Sequence, residues 1–264
     1  MSCALCLSSC SGLSTSFNPA TSSQETTIYS TDREVAIGAA VAREIEEGFV
    51  VVEDVPENER LGGVLGKLVP VVGRRDLVHV AKVIDPKEKD KKPGEDVVNA
   101  VSLPGGYVYV FLDLMRHVKE DDQLAAVVAH ELAHVVARHS IKRLQASYAN
   151  IVAVVSAMQV DGRLAGGINA ATNAMFFQYS QADELEADAL GVKYLKAAGY
   201  DPGAMVRMLE TLREYDRKQP IRPKYYGRTH PYVHQRIAAA NQVITGEMSY
   251  RDWVRMTGEG ADGR

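Results

Sequence analysis

The sequence predicts an α+β fold, predominantly helical, with a small antiparallel sheet in its first half and a buried helix at its centre. Three observations predict it. Three short runs rich in β-branched and aromatic residues, Leu77 to Ile84, Val97 to Val101 and Tyr107 to Leu112, are separated by turn chemistry. Beyond them the apolar period lengthens from two residues to about 3.6 and stays there, the signature of helices. A length of 264 residues, 46% of them hydrophobic, suffices for one catalytic-sized core.

The elements follow in order. All three cysteines, Cys3, Cys6 and Cys10, lie in the first ten residues, so the body has neither a disulfide framework nor thiolate ligands. Leu7-Ser8-Ser9-Cys10 resembles a bacterial lipobox, in which the cysteine is lipidated. No Lys or Arg precedes Arg33 and only a stub of apolar residues precedes Cys10, so the basic region and apolar core of a secretory signal are incomplete. Two readings stand: a lipid anchor at Cys10 with the true start further upstream, or a disordered N-terminus. Half of the residues from Ser11 to Ser30 are Ser or Thr, too polar to offset their ordering entropy by burial, and read as a tether. The division expected is therefore 1–30 as truncated signal and tether, and 31–264 as the folded domain.

Order is predicted to begin at Thr31-Asp32-Arg33-Glu34, which fits a capping box, and Ile37, Val41 and Ile45 continue at helical spacing to Gly48. A second helix is predicted over Glu57 to Leu68. The three strands follow, with a charged loop from Asp85 to Asp96 and Leu103-Pro104-Gly105-Gly106 as the last turn. Asp121 or Asp122 is expected to cap the long central helix. Further helices are predicted from about Gln181 to Ala198, from Pro202 to Tyr215 with Asp201 as cap, and from Pro231 onward.

Composition excludes some functions. A formal charge of −4 with scattered Lys and Arg offers no continuous basic face for nucleic acid. The best apolar run, Ile151 to Met158, is less than half of the roughly 20 residues that a membrane-spanning helix needs.

The chemistry is carried by His130-Glu131-Leu132-Ala133-His134. Residues four apart on a helix project from one face, so two imidazoles can meet one zinc ion at about 2.0 to 2.1 Å. Glu131, one residue on, leaves the ligand face but can reach a water beside the metal and act as general base. Alone, the string also arises by chance. A zinc site needs a third ligand, and about fifty residues downstream Glu184-Leu185-Glu186-Ala187-Asp188 places Glu184 and Asp188 one turn apart on a predicted helix. Glu184 is the candidate third ligand. Asp188 is the candidate carboxylate for a ligand histidine's other ring N–H, with His130 the better partner. Glu186 reads as solvated, and most acidic runs are no more than a solvated face. His79, His117 and His139 read as structural, His139 because five residues of helix turn it away from the metal face.

With these residues in view, the sequence resembles the family of HtpX, the CAAX prenyl proteases and the periplasmic zinc metalloproteases of bacteria. The likeness runs from about Thr31 to Ala240. It rests on Asn99-Ala100 before Leu103-Pro104-Gly105-Gly106, on the His130 to His134 string with Arg138-His139 after it, on Glu184 with Ala187-Asp188 and Gly191, on Gly199-Tyr200-Asp201-Pro202, and on His230-Pro231 with Arg236. The resemblance implies a zincin-type (gluzincin) metalloprotease domain, one zinc per chain, and Glu184 rather than Glu186 as ligand. It also implies a role for His230 near the open metal position, as oxyanion donor or as an occupying ligand, with Arg236 positioning substrate or a carboxylate. Two departures are the lack of the membrane helices of HtpX and the prenyl proteases, and Gln181 where relatives often carry Arg.

The expectation is thus a zinc-dependent endopeptidase acting on unfolded or damaged cell-envelope proteins, a protein-quality-control role. Location in the periplasm, with lipid anchoring at Cys10, accompanies it. Substrate is expected to add a strand at Asn99, Ala100 and Val101, since backbone pairing suits broad specificity.

Overall fold

In the computed structural model of the chain, the described residues are 14–18, 23–27, 29–53, 56–91, 96–118, 120–146, 179–218 and 229–246. Cys10 and the run from Ile151 to Met158 lie outside them. The segment expected to be a structureless tether instead forms a hairpin, β1 (Ser14–Asn18) paired antiparallel with β2 (Ser23–Thr27). β-Branched Thr15 and Thr26 suit extended backbone. The hairpin is tied to the body by a 2.8 Å ion pair from Lys142 to Glu25.

Helix α1 (Thr31–Gly48) is capped by Ser30, whose hydroxyl accepts from the Arg33 amide. The capping box expected at Thr31 and Glu34 is not formed, because Glu34 is buried and pairs elsewhere, with Arg74 at 3.2 Å and Arg138 at 3.1 Å. Strand β3 (Phe49–Val51), helix α2 (Pro56–Leu68), strand β4 (Val80–Pro86), strand β5 (Ala100–Leu103) and strand β6 (Tyr107–Phe111) follow. A short helix α3 (Leu112–His117), not read from the sequence, leads to the central helix α4 (Asp121–Val136). Then come α5 (Gln181–Ala197), α6 (Ala204–Arg217) and α7 (Val233–Thr245). The last begins two residues after Pro231, beyond a left-handed Tyr232 at φ 66°.

The four-stranded sheet has the order β3-β4-β6-β5 and is mixed, a correction to the antiparallel sheet expected. β4 and β6 run parallel, Val80 facing Tyr107 through to Ile84 facing Phe111. β5 runs antiparallel to β6, the chain turning between them at Gly105 and Gly106, both at positive φ, so β6 lies parallel to β4 and β5 is left at the edge.

The period of two along β6 serves two cores. Val108 and Val110 face one cluster with α4, while Tyr109 and Phe111 face Val41, Ala42 and Ile45 of α1. The sheet is thereby covered on both faces. α1 reaches it because Gly38 has no side chain: a Cβ there would overlap the Pro104 carbonyl oxygen. Gly38→Ala is expected to cost about 1–3 kcal/mol in urea unfolding, and wild-type stability of that variant would refute this docking.

Every residue of α4 from Leu124 to Val136 is buried. A helix apolar all round belongs inside a core, and burial of Leu124 and Leu132 contributes about 1.5–3 kcal/mol each. It packs on α2, β5, α5 and α6. Gly191 lets α5 approach closely, since a Cβ there would lie 3.4 Å from the His130 amide nitrogen. Sequence period and small residues thus bring α5 against the middle of α4.

Candidate active site

His130 and His134 leave α4 one turn apart toward α5, which begins at a capping box between Ser180 and Asp183 and presents Glu184 and Asp188 one turn apart. His230 enters from the segment before α7, and Arg236 from the first turns of α7. His130, His134, Glu184 and His230 each offer a donor atom, all within 4.8 Å of one another and all buried. The individual separations are 3.0 Å between the two Nε2 atoms of His130 and His134, 3.5 Å from each of these to a Glu184 carboxylate oxygen, and 3.3 and 3.0 Å from His230 Nδ1 to His130 Nε2 and Glu184 Oε1.

These numbers fit a metal ion. Donors bonded at 2.0 to 2.1 Å to a tetrahedral centre stand about 3.3 Å apart. The hydrogen bonding agrees. Asp188 Oδ1, 2.9 Å from His130 Nδ1, can only accept, so that nitrogen donates and the neutral ring turns an Nε2 lone pair into the cluster. With His134 Nε2 likewise turned to the cluster as a lone pair, the two nitrogens at 3.0 Å would share a cation.

Arg236 balances the carboxylates. It is the largest of the fully buried side chains among the described residues. Its guanidinium grips Asp188 at 2.7 and 2.8 Å and lies 2.6 Å from Glu184 Oε2. Burial would raise the Glu184 carboxyl, but Arg236 and then His230 outweigh it and hold it well below the usual carboxylate range. Asp188 is lowered in the same way, burial opposing and Arg236 and His130 prevailing. His134 is pushed well below the usual imidazole value by burial, then by its neighbours His130 and His139. His230 is raised, because Glu184 and Glu131 outweigh its burial.

Glu131 stands apart. It is fully buried, and neither carboxylate oxygen has a hydrogen-bond partner among the described residues. Its nearest cationic neighbour is His230 Nε2, 3.5 Å from Oε1. Burying a carboxyl group without hydrogen bonds is costly, and a purely structural site has no reason to retain one.

The structure thus gathers His130, Glu131, His134, Glu184, Asp188, His230 and Arg236 into one buried centre. Asn99, Ala100 and Val101 lie at the edge strand β5, beside α4, and are buried too; Asn99 Oδ1 accepts from Thr229 Oγ1 at 3.2 Å, tying the edge to the His230 segment. His79 and His117 are elsewhere, each accounted for by a backbone carbonyl at 3.1 and 2.8 Å.

Two neighbours of the centre escaped the sequence. Tyr179 stacks on the His134 ring, centroids 3.8 Å apart and planes 16° off parallel, with its hydroxyl 2.9 Å from Ser140 Oγ. Nothing in the local sequence signals a stacking partner 45 residues away. His139 was expected to point away, yet its Nδ1 is 2.8 Å from His134 Nδ1. The helix on which that expectation rested ends at Val136, and Arg138 at φ 56° turns the chain back.

A buried helix with two histidines one turn apart, a glutamate between them and a carboxylate from the next helix, laid beside the edge of a small sheet, defines a zincin-type metallopeptidase domain. Residues 75–244 match the family described as peptidase family M48, and the chain belongs to that family. It is 31% identical over 156 residues to a beta-barrel assembly-enhancing protease of Escherichia coli K12, a match covering 55% of this chain and 32% of that protein. It is 32% identical over 177 residues to the mitochondrial metalloendopeptidase OMA1 of Schizosaccharomyces pombe, covering 66% and 49%, and 25% identical over 222 residues to a beta-barrel assembly-enhancing protease of Yersinia pestis, covering 80% and 44%. The chain spans about a third to a half of the length of these relatives. Their names are those of the assembly-enhancing and OMA1 proteases rather than of HtpX or the prenyl proteases.

Proposed function

We propose that this chain is a zinc-dependent endopeptidase that cleaves unfolded or damaged proteins of the cell envelope. One observation carries the reading: a buried Glu131 carboxylate with no hydrogen-bond partner among the described residues, beside four converging metal-type donors. His130, His134 and Glu184 would hold the ion, which supplies Lewis-acid polarisation and a water of pKa about 7 when bound. Glu131 accepts the attacking water's proton and delivers it to the leaving nitrogen. Asp188 keeps the His130 ring oriented, and Arg236 keeps Glu184 and Asp188 ionised. An extended substrate would pair with the outer edge of β5 at Asn99 to Val101, which lies beside α4.

The envelope setting is supported by the name of the Escherichia coli relative and by the lipobox-like Leu7 to Cys10. No helix among the described residues is long and apolar enough to cross a membrane. Purified protein and unfolded casein, with and without a chelator, test the activity: zinc-dependent cleavage is expected. Stoichiometric zinc with no cleavage would favour a zinc-stabilised binding module, in which His230 closes the fourth position.

Within the enzyme reading, His230 as an occupying ligand has its own support, since its Nδ1 sits among the donors and Nε2 faces Glu131, filling the space that water and a scissile carbonyl need. The alternative role as oxyanion donor requires this ring to move. His230→Ala is therefore expected to raise casein turnover severalfold while zinc is retained. A fall of about a hundredfold in kcat would instead assign His230 as the oxyanion donor.

A further inference from the structure

His139 is not required by the mechanism above, yet it is 1% exposed and its ring is held against His134. Its placement is built by several features. Arg138 adopts the left-handed region at φ 56°, uncommon for a residue with a long side chain. Its guanidinium is pinned by Glu34 at 3.1 Å and by the Thr31 hydroxyl, also at 3.1 Å. Glu34 is itself clamped by Arg74. The start of α1 thus holds the turn that swings His139 back under the metal-facing helix.

The ring nitrogens then have determined roles. If His134 turns Nε2 to the ion, its Nδ1 carries the proton and must donate. The atom at 2.8 Å is His139 Nδ1, so this nitrogen is the acceptor and the His139 proton sits on Nε2. On that side lie two carboxylates, Asp183 Oδ1 and Glu186 Oε2, each 3.6 Å away. That is long for a hydrogen bond, but both charges favour an N–H pointing at them over a lone pair. Glu186, read from sequence as a solvated face, is half-buried and faces this ring.

We infer that His139 is a positioning residue for His134: an imidazole in the place where metal-site histidines more often meet a carboxylate or a carbonyl, orienting the ligand ring and fixing its tautomer. The inference rests on the zinc reading of the centre. The pair His130–Asp188 and the pair His134–His139 then form two unlike supports for two like ligands, the first anionic and the second neutral. The neutral support leaves the centre with one negative charge fewer than two carboxylates would give.

The test is zinc affinity by chelator competition on the full chain. His139→Leu removes the acceptor, and His139→Asn retains one, because Asn Oδ1 occupies the place of His Nδ1. Zinc affinity is expected to fall about 10- to 100-fold in His139→Leu and to stay within about threefold of wild type in His139→Asn, rescue that mere space-filling would not produce. Equal losses in both variants, or no loss in His139→Leu, would overturn the inference while the zinc reading stands. Wild-type protein that binds no zinc would overturn both. Should His139→Leu fail to fold, nitrogen NMR of the zinc-loaded wild type decides: a His139 ring protonated at Nε2 supports the inference, and one protonated at Nδ1 overturns it.

Discussion

Glu131→Gln is expected to keep zinc and fold while losing about two to four orders of magnitude in peptide hydrolysis, the range a positioned general base contributes. Gln matches Glu in shape and leaves His130, His134 and Glu184 untouched, so only the proton acceptor is removed. A further consequence follows from burial. Neither Glu131 oxygen has a hydrogen-bond partner among the described residues and only the His230 ring faces it, at 3.5 Å, so exchanging the buried carboxylate for an amide should change stability little. Zinc content, thermal unfolding and casein cleavage measured on one preparation check all three. Wild-type turnover in Glu131→Gln would remove this residue from catalysis, and a loss of zinc would place it among the ligands.

Arg236→Met should be the most destabilising substitution in the centre. Met preserves the apolar volume of the side chain but leaves Glu184 and Asp188 ionised and buried with no guanidinium, a loss of about 3–5 kcal/mol. The pH dependence carries a sign. Both carboxyls are depressed from their ordinary values of 4.5 and 3.8, so the stability they contribute is complete above about pH 4.5 and is lost as the pH falls through the depressed values. Without Arg236 the largest lowering influence on both groups is lost and burial is opposed only by the histidines, so both protonate at a higher pH than in wild type and protonation relieves the variant at a pH where wild type is still at full strength. Urea unfolding of metal-free protein should therefore show a smaller penalty for Arg236→Met near pH 5 than at pH 7. A penalty under about 1 kcal/mol at pH 7 would show that these carboxylates do not depend on Arg236.

The effect assigned to Arg236 also marks where sequence reading stopped. From spacing and resemblance it was one of two outer residues, able to position substrate or a carboxylate. Its hold on both Glu184 and Asp188 became visible only when α7 was laid across α5, 48 residues away in the chain.

By itself the sequence determined what short-range periodicity carries. His130 and His134 share a face because α-helical geometry puts residues four apart one turn apart, and the same rule placed Glu184 with Asp188. The buried character of α4 was legible in its unbroken small and apolar residues, and the strands in their β-branched runs. The tertiary structure alone decided what depends on order in space. It set β6 rather than β5 beside β4, making the sheet mixed. It withdrew Glu34 from a cap into an ion cluster, ended α4 at Val136, and returned His139 through the Arg138 turn to the ring it had been expected to leave. The reason is physical: helix and strand periods act over one or two turns, whereas the partner of a buried charge or a ring nitrogen is selected by packing, between residues that the chain keeps far apart.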